Sequence, residues 1–251
     1  MATRSPAGDI DWTKPSNHRT TNEPQRHRRE RYLSPYYNQL AKTKNGNLLE
    51  VGCSSGFMMT GIKQRYGIEC FGVEPSNVFR DLLLNEGYPV FSSLDEIRSK
   101  KRDLQFDLIT HFFVLEHIQD PAPFLKNQYE MLKPGGKIVF EIPNAADPLR
   151  TLFPTEAFEK FYWSIAHPWY FTEGSINHLL KEMCGFTDFS IDLDQRYDIG
   201  NHSRWMLKGT PGGQGKLDSI FKEDFHEAYR RALIDAKLAD TLVVTVRKSN
   251  I

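Results

Sequence analysis

The stretch NLLEVGCSSGFM, Asn47 to Met58, joins an apolar run to a loop punctuated by glycine. The run NLLEV predicts a short buried strand, and it carries one acidic residue, Glu50, close to its end. Gly52 and Gly56 bracket the small residues of the loop, and the sequence after them predicts the start of a helix. A strand, a glycine turn and a helix in this order are typical of a site that cradles a nucleotide-like ligand. The Glu50 carboxylate at the entrance of this site restricts the class of ligand that can bind there.

Strands and helices alternate beyond this corner. Further runs predict strands at residues 69–74, 89–93, 106–111, 137–144, 189–194 and 240–248, with helical patterns between most of them. The early strands are continuous apolar segments joined by helices, which favours a parallel sheet covered by helices on both faces. We therefore predict an α/β fold with a doubly wound, mostly parallel sheet.

The N-terminal part of the chain divides into two segments. Residues 1–24 are polar and contain several prolines, so they predict a flexible lead-in. Residues 25–43 predict a helix that is interrupted near Ser34 and Pro35. Three arginines of this helix are interpreted as a solvated face, with a basic contact surface as the alternative: Arg26, Arg28 and Arg29.

Residues 25–251 are expected to form one domain. Insertions that can cover one edge of the sheet are expected at about 145–175 and 194–235, and residues 195–215 predict a loop.

The composition narrows the class of protein. Among 251 residues, Lys plus Arg and Asp plus Glu both number 32, so the formal net charge is zero. A nucleic-acid binder usually carries a basic excess, so we expect no nucleic-acid partner. No apolar run approaches the roughly 18 residues that span a bilayer, and the N-terminal segment does not resemble a secretory signal. Three separated cysteines without a C-x-x-C pair predict reduced thiols in a cytoplasmic protein. The composition leaves the oligomeric state open.

The acidic residues at the strand ends select among nucleotide-like ligands. No Lys follows Gly56, so the phosphate-loop pattern is missing, and the spacing G-x-x-x-G differs from a dinucleotide fingerprint. Glu50 would repel a phosphate but would attract the sulfonium and ammonium groups of S-adenosylmethionine, which carries no phosphate. Glu74 ends the second strand, where an acidic side chain can accept hydrogen bonds from ribose hydroxyls.

With these residues the chain resembles the class I S-adenosylmethionine-dependent methyltransferases. The matching segments are EVGCSSG (50–56), GVEPS (72–76), FDLITHFFVLEHIQDP (106–121), LKPGGKIVFEIPN (132–144) and, for the last strand of the family, DTLVVTVRK (240–248). The resemblance implies a Rossmann-like sheet of seven strands with an antiparallel last strand. It also implies that the cofactor lies across the C-terminal ends of the strands.

The resemblance further implies the residues that bind the cofactor. They are Glu50, Gly52, Cys53 and Gly56 at the methionine end, Glu74 and Pro75 at the ribose, Leu94 beside adenine, and His111 and Phe112 on the methyl-donor side. The chain departs from the family at Ser54, where a middle glycine is common.

The acceptor side is expected in the segments that follow the fifth strand. The run FEKFYWSIAHPWYF, residues 158–171, is dense in aromatic side chains and predicts a lid or a satellite core that also supplies Trp169 and Tyr170 to the substrate. His167 lies at a His-Pro turn within it and is a candidate catalytic base. His111 is a second candidate, and His117 is a competitor that we assign to a structural role. An anionic acceptor would need no base.

The segment Asp194–Gly213 lies between the last two predicted strands and is rich in polar and cationic side chains. Arg196, Tyr197, His202 and Arg204 are predicted to bind the substrate, with a solvated loop as the alternative. This part resembles methyltransferases of bacterial surface-polysaccharide (capsule or O-antigen) biosynthesis.

The sequence thus predicts a cytoplasmic S-adenosylmethionine-dependent methyltransferase. Its expected acceptor is a small carbohydrate-type or phosphate-type molecule, methylated at oxygen, and no metal is expected. One alternative is a methyltransferase of an aromatic or quinone-like metabolite. Another is a non-catalytic subunit that binds the cofactor.

Overall fold

The computed structural model describes residues 23–43 and 46–250. The helices are α1 (Glu23–Leu40), α2 (Phe57–Tyr66), α3 (Asn77–Asn85), α4 (Leu94–Lys100), α5 (Pro121–Glu130), α6 (Pro148–Thr151), α7 (Glu156–Tyr162), α8 (Glu173–His178), α9 (Ile199–Lys208) and α10 (Glu223–Asp235). The strands are β1 (Asn47–Val51), β2 (Glu69–Val73), β3 (Val90–Phe91), β4 (Phe106–Phe112), β5 (Leu132–Pro143), β6 (Phe189–Asp194) and β7 (Thr241–Arg247). A 3-10 turn (Leu115–His117) follows β4, and a π-helical turn (Leu179–Met183) follows α8.

The seven strands form one sheet in the order β3-β2-β1-β4-β5-β7-β6. The pairs among β1 to β5 are parallel, and β7 runs antiparallel to both β5 and β6. This arrangement confirms the predicted doubly wound sheet with an antiparallel last strand. Because β1, β2 and β4 are neighbours and parallel, their C-terminal ends meet at one edge of the sheet. Among the described residues, no helix combines the length and apolar character that crossing a bilayer requires.

The core lies on both faces of the sheet because helices cover both. Leu48 of β1 packs with α1 on one face, and its neighbour Leu49 packs with α5 on the other. Successive strand side chains point to opposite faces, so a strand buried on both sides must be apolar throughout. This requirement explains why the strands are continuous apolar runs in the sequence.

Helix α1 differs from the prediction in two ways. Its first residues, Glu23 and Pro24, fall within the segment predicted to be flexible, whose residues 1–22 lie outside the described part of the chain. The helix also continues through Pro35. The side chains of Leu33 and Tyr37, on either side of Pro35, are completely buried against the sheet. Tertiary packing therefore overrides the local cost of proline in a helix.

The segment predicted as a loop at residues 195–215 contains helix α9. The Asp198 side chain caps its first turn by accepting a hydrogen bond from the Asn201 amide at 2.8 Å. Gly209 ends the helix in the left-handed conformation, at φ 64°. Both residues are standard helix-boundary signals, so this helix could have been found in the sequence.

A buried ion-pair network joins α1 to the sheet. Arg28 is 8% exposed and contacts Glu141 of β5 at 2.6 Å and Asp194 of β6 at 2.5 Å. The Arg29 Nε atom donates a hydrogen bond to Glu141 at 3.1 Å. Neither arginine forms the solvated face that the sequence predicted, because acidic side chains of distant strands accept hydrogen bonds from both guanidinium groups.

Replacement of Arg28 by alanine is expected to lower the free energy of unfolding by about 3 kcal/mol, because it removes the buried cation that the Glu141 and Asp194 carboxylates share. Urea unfolding followed by circular dichroism measures this change. The matched control is Arg98→Ala, which breaks an exposed pair with Glu130 and is expected to cost less than about 1 kcal/mol. Equal effects of the two substitutions would contradict the assignment of Arg28 as an anchor.

Candidate active site

The corner after β1 is shaped by backbone conformations that favour glycine. Gly52 and Gly56 have φ values of 73° and 70°. A Cβ atom on Gly52 would lie 2.6 Å from the Val114 side chain, and one on Gly56 would collide with Leu83. Ser54, the departure from the family pattern, also adopts a positive φ of 48°, so the loop keeps its shape without a middle glycine.

Glu74 joins this corner to the end of β2. Its Oε2 atom accepts a hydrogen bond from the Ser54 amide, and its Oε1 atom accepts one from the Ser76 amide, both at 2.8 Å. Each carboxylate oxygen can accept a second bond, so the predicted contact with ribose hydroxyls is chemically available. The Ser54 bond is made by the backbone amide, so it ties the loop to the end of β2 whatever side chain stands at position 54.

Glu50 is a buried acid with unused hydrogen-bonding capacity. It is 4% exposed, and its Oε2 atom has no hydrogen-bond partner within the described ranges. Burial raises the pKa of this carboxyl to about 8, although the Arg29 guanidinium lowers it in part. A buried carboxyl of this kind is stabilised when a cation reaches it. The corner therefore fits the ammonium and sulfonium groups of S-adenosylmethionine.

Arg29 lies next to predicted cofactor residues, although the sequence did not predict it as a site residue. Its guanidinium lies 4.0 Å from the centre of the Phe112 ring, which is predicted to contact the cofactor, and its charge acts on Glu50. The position follows from the bond to Glu141, which is more than a hundred residues away in the chain. No local signal in the sequence could have identified it.

The other predicted cofactor residues differ in their surroundings. Cys53 and Leu94 are buried at 4% and 6% exposure, and burial raises the pKa of the Cys53 thiol. Pro75 is exposed after β2, and its carbonyl accepts a hydrogen bond from Arg80 at 3.1 Å. The roles assigned to these residues by resemblance stay predictions.

His111 lies in a setting that does not favour the predicted role as a base. Its imidazole is completely buried, stacks on Phe140 at 4.5 Å and meets the edge of Phe124. Burial lowers its pKa to about 3, so the ring stays neutral. An imidazole enclosed in this way cannot exchange protons with an acceptor outside the core, and we do not retain it as a candidate base.

A cavity of about 420 Å³ lies beside the end of β4. Both predicted insertions contribute to it. Its lining consists of Phe113, Glu116, His117, Pro143, Asp147, Leu149, Phe158, Phe161, Tyr162, Ser164, His167, Arg196, Tyr197, Asn201, Trp205, Pro211 and Asp240. A volume of this size suits a small organic molecule.

Aromatic rings form one wall of the cavity. Phe158 of α7 meets Trp205 of α9 edge to face at 5.1 Å, and Phe161 meets the same indole at 5.0 Å. The aromatic run of the sequence therefore supplies both packing and lining, which agrees with the lid or satellite core that was predicted.

Arg196 lines another side of the cavity and forms an ion pair with Asp240. Its Nε atom donates a hydrogen bond to Asp240 at 3.2 Å, and its guanidinium lies 4.2 Å from the centre of the Phe113 ring. Asp240 also accepts a hydrogen bond from the Tyr197 amide at 3.1 Å. The guanidinium charge is thus largely balanced by a carboxylate before any ligand binds.

Two further acids line the cavity, and the sequence analysis did not single them out. Glu116 is 2% exposed, and burial raises its pKa to about 7. Asp147 accepts a hydrogen bond from the Leu149 amide at 2.7 Å, and burial together with the Asp240 charge raises its pKa to about 7. Both acids lie just after a strand, which is the one signal that could have identified them.

His167 and His117 face each other at one end of the cavity, with ring centres 4.6 Å apart. The His117 Nδ1 atom lies 2.8 Å from the Ala166 carbonyl oxygen, which ties the lid to the turn after β4. Burial lowers the pKa of His167, which favours the neutral ring. Glu116, His117 and His167 each offer one atom that could bind a metal ion, and these three atoms lie within 4.8 Å of one another. A metal ion is therefore compatible with this end of the cavity.

Four predicted substrate residues do not line the cavity. His202 is completely buried, with its Nδ1 atom 2.6 Å from the Tyr229 hydroxyl. Arg204 donates to the Pro211 carbonyl at 2.9 Å, and Trp169 donates to the Gln119 carbonyl at 3.1 Å. The Tyr170 hydroxyl donates to the Tyr162 carbonyl at 3.1 Å. The structure thus places these four side chains in contacts outside the cavity, whereas Arg196 and Tyr197 line it.

Comparison with known proteins identifies the family that the chain matches. A family model described as a methyltransferase domain matches residues 25–190. A ubiquinone biosynthesis O-methyltransferase of Coxiella burnetii is 31% identical over 114 residues, which cover 43% of this chain and 48% of the relative. A tRNA U34 carboxymethyltransferase of Hydrogenovibrio crunogenus is 28% identical over 177 residues, which cover 65% of this chain and 50% of the relative. The chain spans about half the length of these curated relatives.

Solved structures share the fold. A SAM-dependent methyltransferase from Archaeoglobus fulgidus has a TM-score of 0.56 at 17% identity, covering 94% of this chain and 95% of its own. The plantazolicin methyltransferase BpumL, in complex with a pentazolic desmethylPZN analog and SAH, has a TM-score of 0.60 at 17% identity, covering 96% of this chain and 92% of its own. Both agree with the predicted fold. These relatives and structures do not support the predicted resemblance to enzymes of surface-polysaccharide biosynthesis.

Binding of S-adenosylmethionine is expected to release a proton from Glu50 at pH 7. The free carboxyl has a pKa of about 8 and is mostly protonated, and a cationic ligand stabilises its ionised form. Affinity should therefore rise as the pH increases toward 8. Calorimetry in phosphate and in Tris buffer reports the protons exchanged, and Glu50→Gln isolates the contribution of this group. Identical proton exchange in the wild type and the variant would contradict the expectation.

Proposed function

The chain belongs to the methyltransferase-domain family, and we propose that it transfers the methyl group of S-adenosylmethionine to a small molecule bound in the 420 Å³ cavity. The observation that carries this proposal is the position of Phe113. It follows Phe112 at the end of β4, on the predicted donor side, and its ring lines the acceptor cavity. Its φ of 58° is rare for a residue with a side chain and is typical of functional sites.

The acceptor class that fits this cavity best is an aromatic or quinone-like metabolite with a hydroxyl group. Rings of Phe158, Phe161 and Trp205 offer flat apolar surface to a planar molecule. A phosphate-type acceptor would face Glu116 and Asp147, while Arg196 is paired with Asp240. The ubiquinone biosynthesis O-methyltransferase among the relatives supports this choice over a carbohydrate-type or phosphate-type acceptor.

The protein's own contribution to such a reaction is alignment, exclusion of water and removal of a proton. Methyl transfer from a sulfonium is an in-line displacement whose leaving group needs no protonation, so orientation of the acceptor dominates. A neutral hydroxyl also needs a base within hydrogen-bond reach. We assign this role to His167, because it lines the cavity and its lowered pKa keeps it unprotonated.

A panel of acceptors tests the substrate class. The purified chain and labelled S-adenosylmethionine are incubated with catechol and quinol compounds, nucleotide sugars and sugar phosphates. We expect product only with the aromatic hydroxyl compounds, because the cavity presents aromatic walls and unpaired acids. Transfer to sugar phosphates alone would contradict the proposed class. Absence of transfer to every class, with donor binding preserved, would favour the non-catalytic alternative.

Replacement of His167 by alanine tests the base. We expect kcat for an aromatic hydroxyl acceptor to fall by about a hundredfold or more, with unchanged affinity for S-adenosylhomocysteine, because general bases contribute on this scale. The matched control is His178→Ala on α8, an exposed histidine that does not line the cavity. Normal turnover of the His167 variant would point to an acceptor that is already anionic or to another base.

A further inference from the structure

Two hydrogen-bond acceptors in the cavity wall have no donor. Glu116 is 2% exposed and Asn201 is 3% exposed. The Glu116 Oε2 and Asn201 Oδ1 atoms are buried without a hydrogen-bond partner in the part of the chain that the structure describes. Both residues line the same cavity, one from the turn after β4 and the other from helix α9. Buried acceptors are nearly always paired in native proteins, so a molecule bound here is expected to bring hydrogen-bond donors.

The charges around the cavity favour a positive ligand. Its lining contains three carboxylates, those of Glu116, Asp147 and Asp240, against the single guanidinium of Arg196. Asp240 and Arg196 form an ion pair at 3.2 Å. The remaining two acids are not matched by a second Lys or Arg side chain in the lining. Burial raises the pKa of Glu116 and of Asp147 to about 7, so both are partly protonated near neutral pH, and a cation that reaches them favours their ionised forms whereas an anion does not.

The aromatic wall strengthens the same preference. The rings of Phe113, Tyr162 and Trp205 line the cavity together with the acids. The face of an aromatic ring attracts a cation, and clusters of aromatic side chains are used in proteins to recognise quaternary ammonium ligands. A positively charged ligand that donates hydrogen bonds thus fits all three features: the unpaired acceptors, the acidic side chains and the aromatic rings.

We propose that the acceptor carries a protonated amine and that Glu116 binds it, with Asn201 accepting a second hydrogen bond from the same group. This inference rests on the proposed function, because it describes the molecule that the methyltransferase cavity selects. The amine serves to position the acceptor, while the aromatic part lies against the ring wall. Glu116 is accordingly a specificity-determining residue.

Three single-ring probes test the proposal: tyramine, tyrosol and 4-hydroxyphenylacetate. They share a phenol and differ in whether the side chain ends in an ammonium, a hydroxyl or a carboxylate. Their affinities are measured by calorimetry on the full chain saturated with S-adenosylhomocysteine. EDTA is present so that no divalent ion competes at Glu116. We expect tyramine to bind at least tenfold more tightly than tyrosol, and 4-hydroxyphenylacetate to bind most weakly.

Matched variants locate the selectivity. Glu116→Gln keeps the shape of the side chain and removes its charge, so the ratio of tyramine to tyrosol affinity should fall to about one. Glu130→Gln changes an exposed acid outside the cavity and should leave the ratio unchanged. Asn201→Asp adds a carboxylate to the wall and should raise the ratio. This last variant keeps the test decisive if Glu116→Gln does not fold.

The results separate this inference from the proposed function. A wild-type ratio of one or less, or a ratio that survives in Glu116→Gln, would overturn the inference. Binding of none of the three probes would overturn it as well, because the cavity would then not select a single-ring amine. The proposed function is tested separately, by donor binding and by the acceptor panel, and the catechol and quinol compounds of that panel carry no protonated amine.

Discussion

The carboxylate of Glu141 is the contact on which the arrangement of the site depends. It is completely buried in the middle of the sheet, and it accepts hydrogen bonds from Arg28, Arg29 and Tyr32 of helix α1. The arginine charges and the tyrosine hydroxyl lower the pKa of this carboxyl despite its burial. Because the three donors lie within five residues of one helix, Glu141 holds this part of α1 against β5, and Asp194 of β6 adds a second contact through Arg28. The same contact places Arg29 over Phe112 and near Glu50.

The end of β4 links the two halves of the site. Residues up to Phe112 belong to the parallel sheet, and the chain then turns sharply at Phe113. The Phe113 amide still donates to the Glu141 carbonyl at 2.9 Å, so the turn is anchored to β5. Donor-side and cavity-side groups are therefore positioned by one short segment, and a shift in β4 or β5 would move both together.

The fold could be predicted from the sequence because its signals are local. The apolar run of β1, the glycines of the corner and the acid at the end of β2 are all read within a few residues of one another. Helix α9 had local signals as well, in Asp198 and Gly209, but the polar composition between them concealed a helix whose buried face includes His202 and Trp205.

The cavity could be predicted only in part, because its members come from distant segments. Side chains from both predicted insertions line the cavity, yet which of them point inward depends on tertiary packing. Glu116 and Asn201 have ordinary surroundings in the sequence, and only the fold shows that both are buried at one cavity. Trp169 and His202 stand among promising neighbours in the sequence, but each is engaged by a distant backbone or side-chain group.

The position of β6 has a consequence for how this protein can diverge. Among the strands of the described residues, β6 pairs with β7 alone and forms an edge of the sheet. The segment between these two strands supplies α9 and α10. Growth, shortening or exchange of that segment would leave the parallel strands and the glycine corner undisturbed. New acceptors can thus be acquired by remodelling a peripheral connection, while the methyl-donor half is inherited unchanged.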